Sequence, residues 1–160
     1  MDQEKEKKAL DKLALLVLIY LVSFSVVAFV TGYRLFGKGG DWLVIAAALF
    51  GVSGSGVAAF TSCLDRYTTG FELEDGTKVP EGAKGKETFN KRMARWFIFR
   101  PFLGLLIAPV FIWGMEYFVS EPAKYTSSIN KLGFSAFMGG LLAKSVVELI
   151  KGLFKNVFKA

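Results

Sequence analysis

Two long stretches of this sequence carry no charged side chain, and they constrain the fold more than any other feature. Residues 13–31 and 42–64 contain no Asp, Glu, Lys or Arg. At a rise of about 1.5 Å per residue, a helix of either length crosses a hydrocarbon core of about 30 Å. The chain is 52% hydrophobic with a mean hydropathy of +0.41, which is more apolar surface than a soluble core of this size buries. The two stretches therefore predict transmembrane helices.

Two further apolar segments carry charges, one of them near both of its ends and the other towards its C-terminal end. Residues 96–118 include Arg100 and Glu116, and the last third of residues 132–154 includes Lys144 and Glu148. Long charged side chains near a helix end can reach the headgroups, so these charges do not exclude a span. We predict an all-α membrane protein, a single four-transmembrane-helix bundle over residues 1–160. Its helices are expected at about 10–31, 42–64, 94–118 and 128–156, with a loop at 65–93.

The basic residues are distributed unevenly between the two sides of this bundle. Residues 1–12, 65–95 and 151–160 together hold fourteen Lys and Arg, whereas 32–41 and 119–131 hold four. Short cytoplasmic segments are enriched in Lys and Arg, so the count predicts a multi-pass inner-membrane protein with both termini and the 65–95 loop in the cytoplasm. The net charge of +6 then has an anionic bilayer as its partner, and direct nucleic-acid binding is not expected.

The cytoplasmic loop contains the pattern of a small β-hairpin. Residues 71–74 and 77–79 flank Asp75-Gly76, a tight-turn pair, and Pro80 ends the pattern. Because an isolated hairpin is marginally stable in water, we expect it to be supported by a neighbouring subunit, the bilayer surface or a partner.

The helix boundaries carry three signals. Asp41 is placed to cap helix two. Pro101 is tolerated in the first turns of helix three, whereas Pro109 in mid-span removes a backbone hydrogen bond and predicts a kink.

The chain lacks the residue types on which most catalysis and metal binding depend. It has no histidine, and Cys63 is its one cysteine. This excludes an internal disulfide, zinc sites and Ser-His or Cys-His catalysis. We therefore predict no catalytic, cofactor-binding or metal-ligating residue, and a protein that is not an enzyme.

Small residues recur at four-residue steps along helix two. This ladder consists of Ala47, Gly51, Ser55, Ala59 and Cys63, and a second ladder of Gly54, Ala58 and Ser62 lies beside it. Gly104 in helix three and Gly140 in helix four belong to similar ridges. In lipid, such residues let helix backbones approach closely, so helix two should be the most deeply buried. Two interpretations remain, packing within one subunit and a pore-lining or oligomer-forming surface.

Charged residues continue these ridges of small residues. Arg100 and Glu116 share the face of Gly104, and Lys144 and Glu148 share the face of Gly140. The pattern predicts an intramembrane charge cluster that faces protein or water. Arg100 is expected to pair with Glu148 at the inner end, with Lys144 as the alternative partner of Glu148. Glu116 has Lys124 or Lys131 as possible partners at the outer end. Such a cluster either handles ions or protons or is a structural ion pair.

Three motifs in residues 47–158 resemble small bacterial four-pass membrane proteins. They are the Gly/Ser-rich second helix, Arg-Pro-x-x-Gly at 100–104, and Gly-Gly-Leu-Leu-Ala-Lys-Ser-Val-Val-Glu-Leu-Ile at 139–150 running into Leu153-Phe154. Some such proteins belong to anti-phage defence loci, and the membrane subunit of the Kiwa system is one that the chain resembles. The resemblance implies a homo-oligomer that senses a membrane event and anchors a cytoplasmic effector. No functional residue is carried over from it.

These observations favour one functional class over two others. The first is a homo-oligomeric membrane scaffold or sensor subunit that presents its loop and tails to a soluble cytoplasmic partner. The alternative is a small homo-oligomeric ion channel or pore-forming protein. An integral-membrane enzyme is the weakest of the three, since no nucleophile–base pair or carboxylate cluster is visible.

Overall fold

The computed structural model of the protein describes residues 3–80, 87–118 and 128–157, and most of them are helical. The elements, in chain order, are α1 (Gln3–Phe36), α2 (Trp42–Thr69), β1 (Phe71–Glu72), β2 (Lys78–Val79), α3 (Lys91–Phe99), α4 (Pro101–Phe118) and α5 (Ile129–Val157).

Within the described ranges, four helical segments are long and apolar enough to cross a membrane, which indicates a multi-pass membrane protein. They are Gln3–Phe36, Trp42–Thr69, Lys91–Gly114 and Ile129–Leu149, so α3 and α4 together form the third span. Large apolar side chains such as Leu16, Val44 and Leu106 are exposed on the outside of the bundle. Hydrocarbon solvates such side chains, whereas water does not.

Helix α2 lies at the centre of the bundle and packs against α1, α4 and α5. In its most apolar stretch 56% of the residues are buried, against 33%, 33% and 39% in the other three spans. This confirms the prediction that helix two is the most deeply buried. Its small residues allow three neighbours to pack around it at close range.

Several helix ends differ from those expected. Asp41 has helical backbone angles and makes no capping hydrogen bond through its side chain, so the predicted cap is wrong. The backbone carbonyls of Gly39 and Gly40 instead accept the first N–H groups of α2. Helix α4 runs through Pro109 without interruption, and the break in the third span falls at Arg100. Pro101 causes this break, since it has no N–H to donate to the preceding turn.

A two-stranded hairpin follows α2. Phe71 pairs with Val79 and Glu72 with Lys78 in antiparallel register. Gly70, with φ of +134°, lies so close that a Cβ there would be 2.4 Å from the Val79 carbonyl oxygen, so only glycine fits. The backbone of Phe89 then bonds to Gly70 and to Glu72, which places a third segment beside β1.

The hairpin is supported by the chain's own first helix. The Glu74 N–H donates to Glu6 Oε1 at 2.8 Å, and the Tyr67 hydroxyl donates to Asp11 Oδ1 at 2.9 Å. The chain's own α1 therefore provides support for the hairpin, and the support expected from a neighbouring subunit, the bilayer surface or a partner stays a prediction. We call residues 3–14, 70–80, 87–90 and α3 the platform.

Two apolar cores hold the structure together. One extends from the platform into the bundle and includes Leu10, Leu73, Phe89, Phe97 and Cys63. The other lies towards the opposite end of α2 and includes Ala46, Phe50, Ala108, Leu132 and Ala136. Between them, α2 carries the run of glycine and serine residues from Gly51 to Gly56.

Candidate functional site

A polar cavity lies at the platform end of the bundle. It is an open cleft of about 650 Å³ between the last turns of α2, helix α3 and the second half of α5. Four basic and two acidic side chains line it, beside aromatic and small polar residues. We call it the basic cleft; its lining residues are Ser62, Asp65, Arg66, Glu87, Arg92, Met93, Trp96, Phe97, Arg100 and Lys144.

Arg100 forms the inner wall of the basic cleft and is only 6% exposed. It lies at the junction of α3 and α4, where Pro101 leaves carbonyl groups without their usual helical partners. The carbonyl oxygen of Arg100 accepts hydrogen bonds from the Leu103 N–H at 3.0 Å and from the Ser55 hydroxyl at 2.8 Å. Ser55, expected in the helix-packing or pore-lining set, thus stabilises the helix break.

The guanidinium group of Arg100 bonds to a neutral side chain. Its Nη1 donates to Ser62 Oγ at 2.9 Å, and the Ser62 hydroxyl donates in turn to the Ala58 carbonyl at 2.9 Å. Ser55 and Ser62 are seven residues apart on α2, which is two helical turns, so both face the α3–α4 junction. Helix α2 therefore holds both the backbone and the side chain of Arg100.

The predicted Arg100–Glu148 ion pair is wrong. Among the described residues Arg100 contacts no carboxylate, and Glu148 lies 3.5 Å from Lys144, four residues earlier on the same helix. The alternative partner proposed for Glu148 is therefore the one observed. Glu148 still exerts a favourable Coulombic interaction on Arg100 over a longer distance. Instead of Glu148 on α5, the Arg100 side chain bonds to Ser62 on α2.

The charge cluster is otherwise divided between the cleft and its rim. Lys144 lines the cleft, while Glu148 is an exposed residue one turn further along α5. The side chain of Glu116 and the whole of Lys124 lie outside the described residues. Lys131, the other partner suggested for Glu116, is exposed.

The small residues of the ladder meet within one chain. A Cβ on Gly104 or on Gly140 would lie 2.0 Å from the carbonyl oxygen of Gly51, so α4 and α5 both touch α2 at this residue. We call this contact the glycine crossing. Ala59 is fully buried in the core nearer the platform. Together with Ser55, which bonds to Arg100, these positions thus occupy contacts between helices of the same chain.

Several residues of the cleft were not anticipated from the sequence. Arg66 is mostly buried and forms an ion pair with Glu87 of the loop, while Arg92 and Asp65 are exposed. Ser62 belongs to the second ladder of small residues, for which packing within one subunit and a pore-lining or oligomer-forming surface were the two interpretations. Its hydroxyl was the available signal, since a serine one turn before the charged end of a span is able to partner an arginine.

The platform has its own polar network. Gln3 donates to Asp75 at 3.5 Å, and Lys91 forms an ion pair with Glu74. The Thr77 N–H donates to Asp75 and lowers the pKa of that carboxyl group. These contacts tie the hairpin tip to the start of α1 and to α3.

The described residues contain no group of three or more His, Cys, Asp and Glu side chains that would hold a metal ion. The thiol of Cys63 is fully buried in an apolar core. No protein-family model, no curated protein and no solved structure matches the chain.

Proposed function

We propose that this protein is a homo-oligomeric scaffold or sensor subunit of the bacterial inner membrane, which presents its platform to a soluble protein in the cytoplasm. The observation that carries the proposal is the single apolar core shared by the platform and the membrane-spanning helices. The resemblance to membrane subunits of anti-phage loci favours phage defence as the setting.

The shared core supports a sensor because it couples two regions that meet different solvents. Leu73 and Phe89 of the platform belong to the same buried cluster as Leu21 of α1 and Ala59 of α2. Close-packed interiors transmit displacements rather than absorbing them. A change in the packing of α1 against α2 is therefore expected to move the hairpin.

Charge supports the proposed orientation. Residues 1–12, 65–95 and 151–160 hold fourteen of the twenty basic residues. The contacts between Glu6 and Glu74 and between Asp11 and Tyr67 join two of these segments at one end of the bundle. Under the positive-inside rule this end faces the cytoplasm, where a soluble partner has access to the platform.

The glycine crossing weakens the alternative of a channel through a single chain. At Gly51 the backbones of α2, α4 and α5 are in contact, which leaves no room for a hydrated path between them. A conducting form would have to place its path between subunits. The polar groups at hand for such a path are at the platform end rather than along a whole span.

Site-specific photo-crosslinking in cells tests the scaffold proposal. A photoreactive amino acid at position 75, on the hairpin tip, should give a discrete protein adduct, and the same group at position 38, at the opposite end, should not. Glu6→Ala removes the acceptor of the Glu74 N–H and should reduce the adduct, while Glu6→Gln retains an acceptor oxygen and should restore it.

Reconstitution separates the two functional classes. Purified protein in liposomes should give no ion flux above that of empty liposomes, and native mass spectrometry should report more than one subunit. Ion flux that scales with protein content, together with no adduct at position 75, would overturn the scaffold proposal in favour of the ion channel.

A further inference from the structure

Arg100 carries a positive charge that its immediate contacts do not neutralise. Arg100 as a whole residue is only 6% exposed. The hydrogen-bond partner of its guanidinium group is the neutral Ser62 hydroxyl. The helix junction does not require this side chain, because Ser55 bonds to the backbone carbonyl of Arg100, which any residue has. Burying a cation without a counter-charge is costly, so the guanidinium needs another role.

The acids near the cleft do not contact Arg100, although Glu148 attracts it over a longer distance. Glu87 is engaged by Arg66, and Glu148 lies beside Lys144. Asp65 lines the cleft but makes no ion pair within the described part of the chain. Arg92, which also lines the cleft, likewise has no acidic partner among the described residues. The cleft thus offers two arginines without a paired carboxylate.

We propose that the basic cleft binds a phosphate group, held by Arg100 and Arg92 with Lys144 at the rim. Arginine guanidinium groups match the oxygen geometry of phosphate and bind it by charge-assisted hydrogen bonds. A cleft of about 650 Å³ accommodates a phosphate with its substituent. This inference goes beyond the scaffold function and does not depend on a soluble partner.

The position of the cleft favours the headgroup of an anionic phospholipid as the source of the phosphate. Trp96 lines the cleft and is 43% exposed, and its indole is a side chain that prefers the headgroup level. Arg100 is the tenth residue of the third span, Lys91–Gly114, and Lys144 lies five residues before the end of the fourth, Ile129–Leu149. Basic pockets between membrane helices on the cytoplasmic side recognise anionic headgroups. A free phosphate ion has the same chemistry and is the second source to test.

The test uses the full chain, delipidated in a neutral detergent. Native mass spectrometry measures binding of phosphatidylglycerol, of phosphatidylcholine with the same acyl chains, and of inorganic phosphate. The matched variants are Arg92→Gln and Arg95→Gln, two exposed arginines of α3, of which only Arg92 lines the cleft. Arg100→Gln is the third variant.

We expect phosphatidylglycerol to bind more tightly than phosphatidylcholine. Arg92→Gln and Arg100→Gln should each weaken that binding on the order of tenfold, as for the loss of a charge-assisted hydrogen bond. Arg95→Gln should change it less than about twofold, since it alters the net charge equally without touching the cleft. Binding of inorganic phosphate with the same dependence on Arg92 supports the site and assigns it to a soluble anion.

Two results overturn the proposal. One is equal weakening by Arg92→Gln and Arg95→Gln, which means that the lipid responds to net charge alone. The other is the absence of any preference for phosphatidylglycerol or phosphate over phosphatidylcholine. If Arg100→Gln fails to fold, the comparison of Arg92 with Arg95 still decides the question.

Discussion

Adding one methyl group at the glycine crossing should destabilise the whole bundle. In Gly140→Ala the new Cβ would lie 2.0 Å from the Gly51 carbonyl oxygen and 2.9 Å from its Cα. A tolerable carbon–oxygen contact of about 3.4 Å requires α5 to move about 1.4 Å away from α2, and overpacking of this kind costs about 1–3 kcal/mol. We expect the upper end of that range, because a backbone carbonyl cannot rotate away as a side chain does.

Gly114→Ala is the matched control, since no atom of the described residues lies within 4 Å of the position of its Cβ. Replacing glycine by alanine within a helix gains up to about 1 kcal/mol of helix propensity, and both variants share this gain. Unfolding followed by tryptophan fluorescence in mixed micelles with increasing SDS should therefore place Gly140→Ala about 3 kcal/mol below Gly114→Ala.

A second variant tests whether the effect is specific to Gly140 or belongs to the whole glycine crossing. Gly104→Ala would also place a Cβ 2.0 Å from the Gly51 carbonyl oxygen, from the side of α4, so its loss of stability should be similar. Unfolding midpoints of Gly140→Ala and Gly104→Ala that coincide with that of Gly114→Ala would refute the crossing as a tight three-helix contact.

Three further predictions follow from the orientation, the arginine and the hairpin. In a background without Cys63, a cysteine at position 36 should react with an impermeant thiol reagent from outside, and one at position 75 should not; the reverse pattern inverts the topology. Arg100→Gln and Ser62→Ala should be non-additive by about 1.5–3 kcal/mol in a double-mutant cycle, as for a hydrogen bond to a charged group, and strict additivity would mean no bond. Glu6→Ala should speed amide hydrogen exchange at Glu74 while leaving the bundle's stability unchanged, and Glu6→Gln should not; equal exchange in both variants would remove the role of that contact.

The four membrane spans were predictable from the sequence because the apolar run that identifies each span is a local feature. An apolar run of membrane length needs no knowledge of its neighbours, and the burial of α2 followed from small residues at helical spacing. The Glu4–Lys8 ion pair, at 2.7 Å, was predictable for the same reason, because it depends on a four-residue step in one helix.

The partners of Arg100 were not predictable from spacing. Depth along the span placed Arg100 and Glu148 at a similar level. The helix that the Arg100 side chain faces, however, also depends on the path of the third span. Pro101 and Pro109 both lie in that span, and the sequence alone assigned the disturbance to Pro109. Arg100 donates to Ser62 and accepts from Ser55, which is a tertiary consequence of the packing of α2 against the α3–α4 junction.

The hairpin was likewise recognisable, but its support was not. The Asp75-Gly76 pair indicates a turn, and Gly76 has the positive φ, +80°, that such a turn requires. The acceptor on Glu6 lies 68 residues away in sequence, so no local pattern connects it to Glu74. The longer α1 helix is what brings the two together.

The length of helix α1 relates the thickness of the membrane to the position of the hairpin. Its 34 residues form one unbroken helix of about 51 Å, roughly 20 Å longer than the hydrocarbon core that it crosses. A helix adjusts its tilt when the bilayer thins or thickens, and a tilt of about 10° about the midpoint displaces each end by about 4 Å. The hydrogen bond from Glu74 to Glu6 fastens the hairpin to the N-terminal end of this helix. A small change in membrane thickness is therefore expected to displace the hairpin by a distance comparable to the width of a side chain.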